Sequence, residues 1–261
     1  MKAAIIPNYD KSGVLEILDS LKTKLDLLKI EYCVSEEDCD IKSSDFIITI
    51  GGDGTIIHAA KKGAELGKPI IGIHNGRVGY LADITPKELD LFEKIASGDY
   101  IVEERMMLSV SVGNENYYCL NDAVITKGSL SRMIDINVEV DGNLISYRAD
   151  GLIAATPTGS TAYSMAAGGP IVDPALGLFV LTPICSNSLF DRPVLFNDNS
   201  VIRVSVSCPK NTEAFLTVDG EKSIEIKSDD VVVIKRADVS AKLMRVHNAS
   251  FYKTLFEKMR G

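Results

Sequence analysis

One stretch limits what this chain can fold into more than any other: Asp45-Phe46-Ile47-Ile48-Thr49-Ile50-Gly51-Gly52-Asp53-Gly54-Thr55. It opens as an apolar, β-branched run of strand length and breaks into three glycines within four positions. From Ile56 to Leu66 the residues suit a helix. The pattern reads as strand, tight turn, helix. Such a turn brings backbone N–H groups together at a helix N-terminus, where an anion is stabilised. Asp53 is the odd member. A phosphate cradle gains nothing from a carboxylate at its centre, so Asp53 points to a metal beside the phosphates or to a base for an attacking hydroxyl. The plain alternative is a glycine-rich turn with Asp53 or Thr55 as a helix cap.

Two familiar phosphate motifs are excluded. The G-x-G-x-x-G spacing of dinucleotide folds is absent. Nor is there a Walker loop: Gly63 to Pro69 has too short a glycine spacing, and Pro69 stands where Ser or Thr is needed.

Around this stretch, strands and helices alternate. Lys2 to Ile6 reads as a buried strand, too short an apolar run for a signal peptide. Val14, Ile17, Leu18, Leu21, Leu25 and Leu28 form one helical face. Glu31 to Val34 reads as a second strand, Glu36 to Ser44 as a loop or a short turn, and Pro69 to Ile73 as a strand broken by His74-Asn75-Gly76-Arg77-Val78-Gly79. Thr85-Pro86-Lys87-Glu88 predicts a helix start with Thr85 as cap, running to Ser97-Gly98. This alternation means βαβ units and a parallel sheet. A ligand is then expected at the carboxyl ends of the strands, where the Asp53 and Asn75 turns lie.

After Asp99 the pattern changes to short strands: Met107 to Val112, Tyr117 to Thr126, Ile134 to Val140, Leu144 to Arg148, Phe179 to Pro183, Val201 to Ser207, Ala214 to Val218, Ser223 to Ile226, Val231 to Lys235 and Ala241 to Val246. Asp141-Gly142-Asn143 is a hairpin turn. One short helix is expected within Thr161 to Ala167, and a terminal helix over Ser250 to Met259. The expected fold is an α/β N-terminal domain with a parallel, Rossmann-like sheet over residues 1–100. A mainly β C-terminal domain of two packed sheets covers 101–249, and a helix over 250–261 packs back on the α/β part.

Four further clusters could carry chemistry. Asn121-Asp122 opens an apolar strand and, taken alone, reads better as an edge or turn pair. Arg148-Ala149-Asp150-Gly151, taken alone, reads better as a surface ion pair around a turn. Thr156 to Pro170 crowds hydroxyls and small residues around Tyr163, which suits a ligand site better than a core. Asp219-Gly220 also reads as a hairpin turn.

With these strings in view, the chain resembles the NAD kinase family. Gly51-Gly52-Asp53-Gly54-Thr55, Asn121-Asp122, Asp150-Gly151, Thr156-Pro157-Thr158-Gly159-Ser160-Thr161-Ala162-Tyr163-Ser164 and Asp219-Gly220 follow the family's order and spacing across essentially the whole chain. Lipid kinases share the first string without the Thr-Gly-Ser-Thr-Ala-Tyr run. The resemblance implies transfer of the γ-phosphoryl group of ATP to the 2′-hydroxyl of the adenosine ribose of NAD, giving NADP. It implies Asp53 as proton acceptor and Gly51, Gly52, Gly54 and Thr55 as the phosphate turn. Asn121 and Asp122 would hold adenosine, with Asp122 shorter than the family's Glu. Arg148, Asp150, Thr161, Ala162, Tyr163, Ser164 and Ala166 would contact the dinucleotide. His58 falls where many members carry Arg. A homodimer or homotetramer is implied, with neighbouring subunits completing the site. Asp53 and the Thr161 to Ala166 run fall in different halves, so the site is expected at their junction.

Composition sets the remaining bounds. The 261 residues carry a net charge of −8 and an acidic pI near 5.0, which argues against nucleic acid or an anionic membrane as main partner. The five cysteines and three histidines show no metal-ligand spacing, and the cysteines read as reduced, mostly buried thiols of a cytoplasmic protein. Without an acid-rich cage, Mg²⁺ is expected to arrive on ATP. Two rivals remain: a lipid kinase of the same superfamily, and a dinucleotide sensor that binds without transfer.

Overall fold

A computed structural model describes the chain except residues 36–39, 77–78, 129–131, 190, 210–212, 248–250 and 260–261. It divides into two compact units, Met1–Glu104 with Ala241–Gly261, and Arg105–Ser240.

In the first unit, strands β1 (Lys2–Pro7), β2 (Glu31–Val34), β3 (Phe46–Gly51) and β4 (Ile70–His74) pair in parallel in the order β2-β1-β3-β4. Helix α1 (Val14–Leu27) buries Val14, Ile17, Leu18, Leu21 and Leu25, the stripe its periodicity predicts. On that face Ile5, Ile48, Ile50, Ile71 and Ile73 join α1, Phe92 and Ile95 in one core. Each such side chain contributes about 1.5–3 kcal/mol when fully buried. An isolated helix of this length is marginal in water, so this burial is what holds α1. Helix α2 (Asp53–Leu66) covers the opposite face. There Gly72 makes room for it: an added Cβ would lie 2.5 Å from Ile56 Cδ1.

The helix expected from Thr85 begins later. Residues 86–87 form a turn, Leu89–Leu91 a single 3₁₀ turn, and α3 spans Phe92–Ser97. Thr85 does not cap with its side chain. The Glu88 carboxylate accepts the Thr85 N–H at 2.9 Å, the return bond of a capping box, but Glu88 itself is non-helical (φ −114°, ψ 23°).

The second unit is built from β5 (Ile101–Val112), β6 (Glu115–Cys119), β7 (Asp122–Lys127), β8 (Ile134–Val140), β9 (Asn143–Ala149) and β10 (Gly151–Ala155). They are followed by α4 (Tyr163–Ala166), β11 (Leu178–Ile184), β12 (Val194–Asn197), β13 (Ile202–Ser207), β14 (Ala214–Val218), β15 (Lys222–Ile226) and the first part of β16 (Val231–Arg245). One antiparallel sheet runs β12-β11-β10-β7-β14-β15. A second contains β16, β13, β8 and β9, with β5 and β6. The alternating inward residues of both, among them Ile125, Leu152, Leu216, Ile136, Val204 and Val232, form one core.

Three strand expectations are corrected here. The run Tyr117 to Thr126 splits into β6 and β7, because the Leu120 and Asn121 N–H groups leave the ladder for the Asp219 carboxylate. The two strands expected between Val231 and Val246 are one, Val231–Arg245. Its polar middle, Lys235 and Arg236, is exposed while its ends pair, Ile234 with Ile202 and Leu243 with Ile70. Strands β10 and β12 were not expected; β10 is a five-residue apolar run with no alternation. Helix α5 (Phe251–Met259) ends the fold with Leu255 buried.

The expected burial of the cysteines holds only in part. Cys119, Cys185 and Cys208 are free, and only Cys119 is buried. Strand β2 leaves Cys33 half-exposed. No helix among the described residues is long and apolar enough to cross a membrane.

Candidate functional site

In the first unit the glycine string caps α2 at the carboxyl end of the sheet. Gly51 ends β3, and a Cβ there would meet Thr55 Oγ1 at 2.3 Å. Gly52 and Gly54 differ: an added Cβ at either meets nothing within 4 Å. The protein's interior does not demand glycine at these two positions, and Gly52 has ordinary extended backbone. Glycine there leaves the turn's backbone open to close approach from outside.

Asp53 is the first residue of α2. Its carboxylate accepts the Tyr80 N–H on Oδ2 at 2.7 Å and the Leu81 N–H on Oδ1 at 3.1 Å. Each oxygen keeps a further lone pair. Nearby, Thr55 Oγ1 accepts from Asn8 Nδ2 at 3.2 Å. The Asn75 backbone N–H donates to the Gly51 carbonyl, and its side-chain amide donates to the Ser12 carbonyl. Asn75 thus fastens the turns after β1, β3 and β4 to one another. His58 stands on the exposed side of α2.

In the second unit a cavity of about 350 Å³ is lined by Asn121, Asp122, Ala162, Tyr163, Thr217 and Asp219, among others. Its floor follows β7, whose alternate residues Asp122, Val124 and Thr126 face one side. Asp219 sits in a left-handed turn (φ 48°) before Gly220. Its carboxylate accepts three successive N–H groups, Leu120 at 2.9 Å, Asn121 at 2.8 Å and Asp122 at 3.1 Å. Burial, and then the charge of Asp219, push the Asp122 carboxyl up to about 7.

The hydroxyl-rich run turns mostly inward. Thr156 Oγ1 donates to the Leu120 carbonyl at 2.6 Å and accepts the Gly159 N–H. Ser160 donates to the Pro157 carbonyl and accepts the Val172 N–H. Ser164, fully buried, bonds Thr182 at 3.0 Å, and Thr161 donates to the Thr158 carbonyl at 3.2 Å. These hydroxyls hold the loop that presents Ala162 and Tyr163 to the cavity. Tyr163 is 45% exposed, and Ala166 is exposed on α4.

Arg148 and Asp150 lie elsewhere in this unit. Arg148 Nη1 reaches Asp135 at 3.4 Å, and Asp150 pairs with Lys127 at 2.9 Å. Register fixes the separation. Ala155 stands opposite Asp122, and Gly151 opposite Thr126. Asp150 is therefore about 17 Å along the strands from the level of Asp122, at roughly 3.4 Å per residue.

Sequence reasoning passed over Gly79, Tyr80 and Leu81, whose backbone surrounds Asp53. It also left the Asp219 carboxylate as a turn residue. A signal existed for the second, since an Asp before Gly in a tight turn leaves its side chain free to reach backbone.

Comparison with known proteins adds two family matches. The ATP-NAD kinase N-terminal domain matches residues 15–100 and the ATP-NAD kinase C-terminal domain residues 120–246. An NAD kinase of Carboxydothermus hydrogenoformans is 43% identical, over 90% of this chain and 89% of its own. One from a Thermoanaerobacter species is 38% identical over 99% and 98%. The crystal structure of an NAD kinase from Archaeoglobus fulgidus in complex with ATP superposes with a TM-score of 0.83 at 29% identity, covering 100% of this chain and 99% of that one. Yeast NADH kinase complexed with NADH shares the fold, with a TM-score of 0.82 at 22% identity over 98% and 85%.

Proposed function

The chain belongs to the NAD kinase family, and on that premise we propose how its residues transfer the γ-phosphoryl group of ATP to the 2′-hydroxyl of the adenosine ribose of NAD. It is a phosphotransferase with an alcohol acceptor. The observation that carries the assignment of roles is the Asp53 carboxylate, fixed by two backbone N–H groups beside the open glycines Gly52 and Gly54.

Phosphoryl transfer depends mainly on positioning and charge neutralisation. The Gly51 to Thr55 turn, with the N-terminus of α2 behind it, takes the phosphates. Asp53 accepts the proton of the ribose hydroxyl through the lone pairs its tethers leave free. Asn121, Asp122, Ala162 and Tyr163 hold the adenosine end of NAD in the cavity of the second unit. The inward hydroxyls of Thr156, Ser160 and Ser164 keep that loop in place.

Among the described residues no group of three His, Cys, Asp or Glu side chains could hold a metal ion. In this reading Mg²⁺ would arrive on ATP, held by its phosphates and water, with Asp53 as the carboxylate of the turn. When bound, the ion neutralises phosphate charge.

The separation of Arg148 and Asp150 from the Asp122 level supports a homodimer or homotetramer. In this reading the Arg148 and Asp150 of a second copy reach the dinucleotide. Exposed sheet edges such as β15 and β9 gain cover in such an assembly.

The test is purified protein with NAD, ATP and Mg²⁺, with product read by an NADP-specific dehydrogenase. NADP above a boiled control supports the assignment, and none from folded protein rejects it.

A further inference from the structure

We propose that Gly79 is a positioning residue for the transfer, its missing side chain being the space that the Asp53 carboxylate occupies. A Cβ built at Gly79 would lie 1.8 Å from Asp53 Oδ1, 2.3 Å from Cγ and 2.6 Å from Oδ2. Real Cβ atoms do not approach other heavy atoms this closely, so any side chain at 79 displaces the carboxylate.

The backbone gives no other reason for glycine here. Gly76 has φ 117°, in the region that favours glycine, whereas the φ of Gly79 lies outside that region. An alanine at 79 therefore carries no backbone strain of its own. Its cost arises at the carboxylate.

The next two residues supply the complementary half of the arrangement. The Tyr80 and Leu81 N–H groups each take one carboxylate oxygen. Residues 79 to 81 thus form a vacancy followed by two donors, a fitted holder for one carboxylate rotamer. Pushing Asp53 aside breaks both hydrogen bonds together, and its remaining lone pairs turn away from the direction the holder sets. A base misplaced by about 1 Å loses on the order of 10² in rate while substrate binding elsewhere is intact. The inference rests on the role proposed above for Asp53, and it adds the residue that fixes the direction of that base.

The experiment is a double-mutant cycle read as kcat, KM for each substrate, and melting temperature. Gly79→Ala is expected to lower kcat about 10²-fold with both KM values within about threefold. In an Asp53→Asn background it should lower kcat less than about twofold further, because both changes remove one function. Gly79→Ala with kcat within threefold of wild type overturns the proposal. So does an equal fold-loss in the Asp53→Asn background. If Gly79→Ala fails to fold, the Asp53→Ala background decides. There the methyl gains room, so Asp53→Ala/Gly79→Ala should melt no lower than Asp53→Ala, and a clear further drop overturns the proposal. Asp53→Asn alone with near-wild-type kcat would instead reject the base role, leaving the melting cycle to judge the vacancy by itself.

Discussion

Asp122 and Asp219 clasp each other through their backbones: the Asp219 N–H donates to the Asp122 carbonyl at 3.0 Å, and the Asp122 N–H donates to the Asp219 carboxylate at 3.1 Å. The clasp brings two acidic side chains to one cavity. One is satisfied by three N–H donors, and the other is 5% exposed.

That arrangement makes stability fall with rising pH. The Asp122 carboxyl is raised from 3.8 to about 7, so between these values the folded chain binds a proton that the unfolded chain has lost. This contribution is complete below pH 3.8 and is lost as pH climbs through 7. Its upper bound is about 4 kcal/mol. Asp122→Asn should therefore melt higher than wild type at pH 8, with the advantage shrinking toward pH 5. A constant difference across that range would contradict this.

Asp219→Ala removes an acceptor from three N–H groups at once. We expect a stability loss of about 2–4 kcal/mol. KM for NAD should rise more than kcat falls, since the loosened segment carries Asn121 and Asp122. Denaturant melts and steady-state kinetics check both, and an unchanged KM would place the segment outside NAD binding.

Two neighbours on the hydroxyl-rich loop should separate cleanly. Ser164 bonds Thr182 in the interior, so Ser164→Ala should cost about 1 kcal/mol of stability. Its effect on NAD affinity should be small. Tyr163 faces the cavity, so Tyr163→Ala should leave the melting temperature within a degree or two and weaken NAD binding by roughly tenfold. Calorimetry with NAD distinguishes the pair, and the reverse pattern would exchange their roles.

If a second copy completes the site, inactive variants should rescue each other. Asp53→Asn mixed with Arg148→Ala, after dissociation and reassembly, leaves some sites with both residues intact. Activity of the mixture should exceed the sum of the separate variants. Simple additivity would put Arg148 in the same chain's site or in none.

Much of this was legible in the chain. The apolar run into Gly51-Gly52-Asp53 fixed strand, turn and helix, and the α1 stripe read directly as its buried face. The rest depended on partners far apart in sequence. Asn121 breaks a strand because of a carboxylate at 219, and nothing local to Tyr117 to Thr126 shows it. Arg236 to Ser240 look like a break in sequence, whereas the strand runs through them because its two ends pair with Ile202 and Ile70, far away in the chain. The Thr85 signal is half realised: Glu88 takes the Thr85 N–H, the return half of a capping box, but Glu88 itself is non-helical and the helix starts later. The hydroxyl count over Thr156 to Ser164 pointed to a site. Which hydroxyls turn inward is decided by contacts such as Thr182 and Val172, which composition does not encode.

The most direct test of the account is the turnover of Asp53→Asn, measured with NAD binding and melting temperature on the same preparation. Gly52, not Asp53, is the N-cap of α2, so the helix-cap reading does not hold; if Asp53 only tethered the Tyr80 and Leu81 N–H groups, Asp53→Asn would cost about 1–3 kcal/mol of stability and leave kcat nearly intact. As the proton acceptor, its loss should lower kcat by roughly 10²–10⁴, toward the lower end for a loose transition state, while NAD binding persists. Near-wild-type kcat in a folded variant would contradict the account.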